Sequence, residues 1–153
     1  MIFHFLTSQF YDDYAECDQI LLKDKRPYCF SICEVDGLLI AVPLRSNLNP
    51  YNKYVIKTPG TTGGLDLTKS VVITDRAKYI ESRTSPLIRR EDFRFLLGKD
   101  YFLECKVKKF IQIYKKRAET QIDDNSLLKF CSLKYFHKEL NITAPEDTSA
   151  LCK

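Results

Sequence analysis

Arg45, Ser46 and Asn47 stand together at the end of an apolar run, Leu38-Leu-Ile-Ala-Val-Pro-Leu44. Tyr51 and Lys53 follow in the same polar loop, and Lys25, Arg26 and Tyr28 come just before the preceding apolar stretch. Cations, a hydroxyl and an amide, without a histidine base or a metal-ligand cluster, suit a phosphodiester. Arginine grips phosphate with a planar fork of donors, and lysine can stabilise the charge that builds on a pentacoordinate phosphorus. RNA brings its own nucleophile, the 2′-hydroxyl, so a protein need only align and polarise it. Tyr11, Tyr28 and Tyr51 are the aromatic rings on which splayed bases could stack. The competing reading of the same residues is an ordinary polar surface loop.

Other chemistries find little footing. No G-x-S-x-G elbow, H-E-x-x-H pair or Walker A sequence occurs. His4 falls in an apolar strand and His137 in an apolar helix, where packed core histidines are expected. Asp12 and Asp13 read as a solvated helix start. The six cysteines include no C-x-x-C pair, so reduced, buried thiols are expected and structural zinc is not. No metal and no cofactor is called for.

The elements that must hold these groups can be read from the pattern. Tyr28-Cys-Phe-Ser-Ile-Cys33, the turn Val35-Asp-Gly37 and Leu38–Val42 form strand, tight turn and strand, delivering Arg45, Ser46 and Asn47 at a strand end. Residues 2–6 read as a strand. Thr7 or Ser8 then caps a helix whose core stripe is Phe10, Tyr14, Cys17 and Leu21, with Tyr11 about 100° off it. Residues 54–57 and 69–74 are expected strands, with short ones at 79–82 and 87–88. The glycine-rich segment 58–64 reads as the most flexible piece. A helix is expected at 91–97, ending at Gly98. In the next helix Leu103, Val107, Phe110, Ile111, Tyr114 and Ala118 share one face, and a final helix spans 126–140. Strands first and helices later predict an α+β fold with a mostly antiparallel sheet and a helical C-terminal third.

The chain has 153 residues and a net charge of +4, which fits a single domain spanning 1–153. Seven basic residues between Lys99 and Arg117 outnumber Asp100 and Glu104, a bias that suits a polyanionic partner. No membrane span and no signal peptide is expected, so the protein is expected in the cytoplasm. The tail after about residue 140 is expected to be mobile.

Arg26-Pro-Tyr28, Val35-Asp-Gly37, Pro43-Leu-Arg-Ser-Asn47 and Gly64-Leu-Asp-Leu-Thr-Lys-Ser-Val-Val-Ile73 occur in that order. Together they resemble the type III toxin–antitoxin endoribonucleases, the ToxN/AbiQ group and more closely its TenpN/CptN branch, over residues 1–115. The resemblance implies an antiparallel sheet related to the MazF/Kid-type barrel and flanked by helices. It implies metal-independent RNA cleavage that leaves a 2′,3′-cyclic phosphate. It further implies inhibition by a repeat-encoded RNA folded as a pseudoknot, a closed protein–RNA ring, and a role in phage abortive infection.

Carried over by position, Ser46 matches the family's serine, Arg45 replaces its threonine, and Leu48 stands where its lysine would be. Lys53 is the nearest substitute for that lysine. Tyr28 occupies the place of a second family lysine, with Lys25 and Arg26 as replacements. The family's tyrosine on the first helix falls at Phe10 or Tyr11, and the helical face favours Tyr11. The resulting expectation is a catalytic set of Ser46, Arg45 and Lys53. Tyr11, Lys25, Arg26, Tyr28, Asn47 and Tyr51 would bind RNA, with Lys106 and Lys109 on the lysine-rich helix contacting the antitoxin RNA. The identity of the general base stays open. The alternatives are a non-catalytic RNA-binding module of the same fold and a structural protein joined through the lysine-rich helix.

Overall fold

The computed structural model describes residues 3–21, 29–122 and 126–143. Lys25, Arg26 and Tyr28 therefore lie outside the described residues, as does 144–153, most of the expected mobile tail.

The centre of the fold is a hairpin of β2 (Cys29–Val35) and β3 (Leu38–Arg45), paired from Cys29↔Leu44 to Val35↔Leu38. Asp36 and Gly37 make the two-residue turn, both with positive φ (50° and 80°). That twist matches the twist of the flanking strands, which is why an Asp-Gly dipeptide signals a hairpin. β1 (Phe3–Phe5) pairs with the outer side of β2. Along the far edge of β3, β6 (Val71–Ile73) pairs with 39–41, and β5 (Gly64–Asp66) pairs with Leu44 and Arg45. Pro43 has no N–H to give to a ladder, and it lies where β6 has ended and β5 has not begun. The strand thus continues through the proline to Arg45. β4 (Val55–Lys57) completes the sheet on β5.

All pairings are antiparallel, in the order β1-β2-β3-β5-β4 with β6 also on β3. Among the described residues β1 and β4 do not pair, so the sheet is open rather than closed into a barrel. With the surrounding helices this is an α+β fold.

The segment expected to be most flexible is instead a tied hairpin loop between β4 and β5. Thr58 N–H donates to the Gly63 carbonyl at 2.9 Å, and Thr61 Oγ1 donates to the Thr58 carbonyl at 2.9 Å. Gly64 has φ of +149°, and a Cβ there would overlap the Ile56 carbonyl oxygen. The glycines serve close strand approach, not looseness.

α1 (Ser8–Asp13) starts at Thr7, whose hydroxyl accepts from Phe10 N–H. It is shorter than the stripe predicted. Beyond Tyr14 the chain proceeds by three-residue turns, Cys17 N–H to Tyr14 and Ile20 N–H to Cys17, so Ile20 is buried where Leu21 was expected. Cys17 is fully buried and disulfide-bonded, not the reduced thiol predicted. A spatial pairing of sulfurs leaves no trace in local periodicity. Cys33 is a reduced, half-buried thiol, as expected: burial, with Glu104 nearby, pushes it up to about 12. Residues 79–82 are not a strand. α2 (Arg76–Tyr79) ends there, capped by Asp75, and only an isolated Leu6–Ile80 bridge follows. Nor do 87–88 form one, since Leu87 stands in solvent.

α3 (Arg90–Leu96) and α4 (Asp100–Thr120) follow, separated by Gly98 at φ +74°. The six predicted stripe residues of α4 are all buried, and α4 packs on β2. Burying each large side chain contributes roughly 1.5–3 kcal/mol. Tyr114 is fully buried, with its hydroxyl 2.8 Å from Nε2 of the buried His137. The predicted last helix is two pieces, α5 (Leu127–Phe130) and a 3-10 turn at Ser132–Phe136, broken at the extended Cys131. An apolar run with no polar face sets no helical phase.

Candidate functional site

A cleft of about 440 Å³ opens between the loop 49–54, the strand β5 with the turn after it, and α5. Arg45, Tyr51 and Lys53 from the sequence reading line it, together with Asn52, Asp66, Thr68 and Lys69. Tyr54, Leu127 and Phe130 supply apolar wall. Rings and cations in one cleft are what a nucleotide needs, a face to stack on and charge to meet its phosphate.

Asp66 organises the floor. It lies on the last residue of β5, paired by register with Val55, and its side chain is 2% exposed. Its carboxylate accepts from Arg45 Nη1 at 2.8 Å, Asn52 Nδ2 at 3.1 Å, Thr68 N–H at 3.1 Å and Thr68 Oγ1 at 2.6 Å. A buried carboxylate is tolerable only when its oxygens are so occupied. The arginine thereby loses freedom without losing access: its side chain is 30% exposed and lines the cleft. Asn52 also accepts from Tyr54 N–H at 2.9 Å, fixing the loop that carries Tyr51 and Lys53.

Lys69, like Asp66, Asn52 and Thr68, lines the cleft without having been among the residues expected there. Its ammonium donates to Gln19 Oε1 and to the Phe130 carbonyl, both at 2.8 Å. Burial lowers its pKa from the ordinary lysine value, and Arg45 nearby pushes the same way against the opposing pull of Asp66. The resemblance motif Gly64–Ile73 contains Asp66, Thr68 and Lys69, but as strand pattern alone. Only the fold brings them to Arg45.

Ser46 and Asn47 do not line the cleft. They are exposed, and Thr62 Oγ1 donates to the Ser46 carbonyl at 2.9 Å and to Asn47 Oδ1 at 2.8 Å. Leu48 N–H donates to the Thr62 carbonyl at 2.8 Å, so the strand end is pinned to the β4–β5 loop. No family model, curated protein or solved structure matches this chain. The site therefore rests on its own geometry.

The remaining predicted residues are dispersed. Tyr11 is half-buried, packed against the core and edge-on to Phe10 with ring centroids 5.6 Å apart, and does not reach the cleft. Lys106 and Lys109 project from the exposed face of α4, outside the cleft lining, and Lys106 sits 5.4 Å above the Phe102 ring. Among the described residues no group of three or more His, Cys, Asp or Glu could hold a metal ion. Among them, too, no helix is long and apolar enough to cross a membrane.

Proposed function

We propose that the protein is a metal-independent endoribonuclease toxin of the ToxN/AbiQ kind, closest to the TenpN/CptN branch. The observation that carries this reading is the convergence of Arg45, Lys53 and Lys69 with Tyr51 and Phe130 in one cleft, with Ser46 next in sequence to Arg45. Bases would stack on the rings while Arg45, already oriented by Asp66, and Lys53 bind the scissile phosphate. Ser46 would hydrogen-bond that phosphate or the attacking 2′-hydroxyl, and Asn47 would hold the loop or a base.

In the reaction the 2′-oxygen bonds to phosphorus as the P–O5′ bond breaks, and the 2′-hydroxyl proton passes to solvent. The 5′-oxygen takes a proton from Lys69, whose lowered pKa makes it a readier donor than an ordinary lysine. The products are a 2′,3′-cyclic phosphate and a 5′-hydroxyl. Kinship of the open sheet with the MazF/Kid barrel, and a helical C-terminal third as its cover, belong to the same proposal. So do a pseudoknot RNA antitoxin in the groove contacting Lys106 and Lys109, a closed protein–RNA ring, a cytoplasmic location, and a role in abortive infection.

Induced expression in a bacterium tests the reading. Wild type is expected to arrest growth, and Ser46→Ala to accumulate as folded protein without arrest. Equal toxicity of the two would remove Ser46 from the site. RNA bound but never cut would favour a binding module of the same fold.

A further inference from the structure

Asp66 and Arg45 have a counterpart near the backbone of Arg45 and Ser46. Asp92 of α3, 1% exposed, accepts from Thr58 Oγ1 at 2.6 Å, and Arg89 reaches the same carboxylate through Nε at 2.8 Å and Nη2 at 3.3 Å. The guanidinium lies against the backbone at Gly63. A methyl there would collide with Arg89 Nη2, while standing 2.5 Å from the Arg45 carbonyl oxygen and 3.0 Å from that of Ser46. No strained φ requires this glycine; space for the arginine and the adjoining strand end does. The side chain is still 41% exposed, and among the described residues its Nη1 donates to nothing. Arg89 is thus a fixed cation with a spare donor, set beside the Arg45–Ser46 peptide.

α3 continues that charge outward. Arg90, Phe93, Arg94 and Leu97 follow a helical spacing of three and four residues, and all four are exposed. Phe93 is 50% exposed between two arginines; the acidic Glu91 lies on the far side of the helix from Phe93, about 160° round, and is an i,i+3 neighbour of Arg94 alone. An aromatic face flanked by guanidinium groups matches a single-stranded polynucleotide, which offers a phosphate charge and a stacking base at every step. The stripe has too few apolar side chains to bury much area against a protein, and its two arginines would each need an acidic partner there.

We infer that single-stranded RNA leaves the cleft past Ser46, is gripped at a phosphate by Arg89, and runs along α3 with a base stacked on Phe93. This rests on the RNA reading of the cleft and adds to it a second binding region about one helix long. It makes the substrate an extended strand, not a dinucleotide.

The test is fluorescence anisotropy with end-labelled 2′-O-methyl RNA of mixed sequence, about four and about twelve nucleotides long, lengths that span a short and a full single-strand site. The 2′-O-methyl group removes the nucleophile, so only binding is read. Wild type is expected to bind the longer strand at least about tenfold more tightly. Two variants separate the contributions. The double substitution Arg89→Gln, Asp92→Asn leaves no carboxylate stranded, and Phe93→Ala removes a half-exposed ring and no charge. Each should weaken binding of the longer strand about five- to tenfold, the size of one lost phosphate contact or one lost stacked base. Loss of Arg89 should also flatten the log–log salt dependence by about 0.7, and Phe93→Ala should leave that slope unchanged. If both variants bind the longer strand like wild type while Arg45→Ala binds it weakly, the α3 path is wrong and the cleft reading stands. If wild type binds neither strand, both fall.

Discussion

Asp66 and Asp92 are both buried, both accept a threonine hydroxyl at 2.6 Å, and both hold an arginine at 2.8 Å. They differ in what else they hold. Asp66 has Asn52 and the Thr68 N–H besides, whereas among the described residues Asp92 has only Thr58 and the two-point grip of Arg89. The first carboxylate knits loop, strand and turn into a cleft floor. The second does little more than aim one guanidinium. A buried acid with many partners serves the scaffold, and one whose main partner is an exposed arginine serves that arginine.

The largest expected effect separates the two directly. Among the described residues, Arg89→Ala leaves the Asp92 carboxylate a single hydroxyl partner, whereas Arg45→Ala leaves Asp66 three donors. Stranding a buried carboxylate costs roughly 3–5 kcal/mol when fully enclosed; for these part-exposed pairs about 2–3 kcal/mol is expected at Arg89 and about 1–2 kcal/mol at Arg45. Thermal unfolding should show the order, with Tm falling about 2–4 °C per kcal/mol. Equal losses would dissolve the distinction.

Thr58→Val and Thr68→Val sharpen it at a smaller scale. Each removes one hydroxyl from a buried acceptor at a cost of about 1–2 kcal/mol. The Thr58 change should be the larger, because Asp92 has fewer donors left. Urea titration reads the difference.

A third prediction concerns Lys69, the cation that the Asp66 side of the pair brings into the cleft. Its folded pKa lies below its ordinary 10.5, so between those values the unfolded chain carries a proton that the folded chain lacks. Stability from this group therefore rises with pH through that window, and Lys69→Met should abolish the rise. The same substitution should slow RNA cleavage by at least about 100-fold if Lys69 protonates the leaving oxygen, the lower end for a lost acid or charge-stabilising group.

The smallest effect is a control far from both carboxylates. Asp13 is bonded by Lys78, Tyr79 and Gln9, which lower its pKa from 3.8 to about 2. Its contribution to stability is present above 3.8 and lost as the pH falls towards 2. Asp13→Asn should remove that acid sensitivity without altering RNA binding, as an acid-titration midpoint and an anisotropy measurement would show.

What the sequence reveals follows the range of the interactions. The β2–β3 hairpin is legible because Val35-Asp-Gly37 sets its own turn, and the α4 stripe because helical spacing is local. Arg45, Tyr51 and Lys53 are legible as a group because they lie close together in sequence, and the fold keeps all three in one cleft. Asp66 is not, because it meets Arg45 across 21 residues, nor is Lys69, which reaches Gln19 across 50. Thr58 and Asp92, 34 residues apart, leave no joint signal. The glycines at 63 and 64 read as flexibility because sequence shows what they lack, not what presses against them. Tyr11 is misplaced for a related reason: a position off the core stripe of a two-turn helix is still covered by neighbouring elements.

The central claim, that the Arg45–Lys53–Lys69 cleft cuts RNA, is tested most directly by incubating the purified protein with mixed-sequence RNA in EDTA and mapping the ends produced. Discrete cuts bearing 2′,3′-cyclic phosphate and 5′-hydroxyl termini, lost in Arg45→Ala protein that remains folded, are the predicted result. Intact RNA after incubation with folded, RNA-free wild type would contradict it.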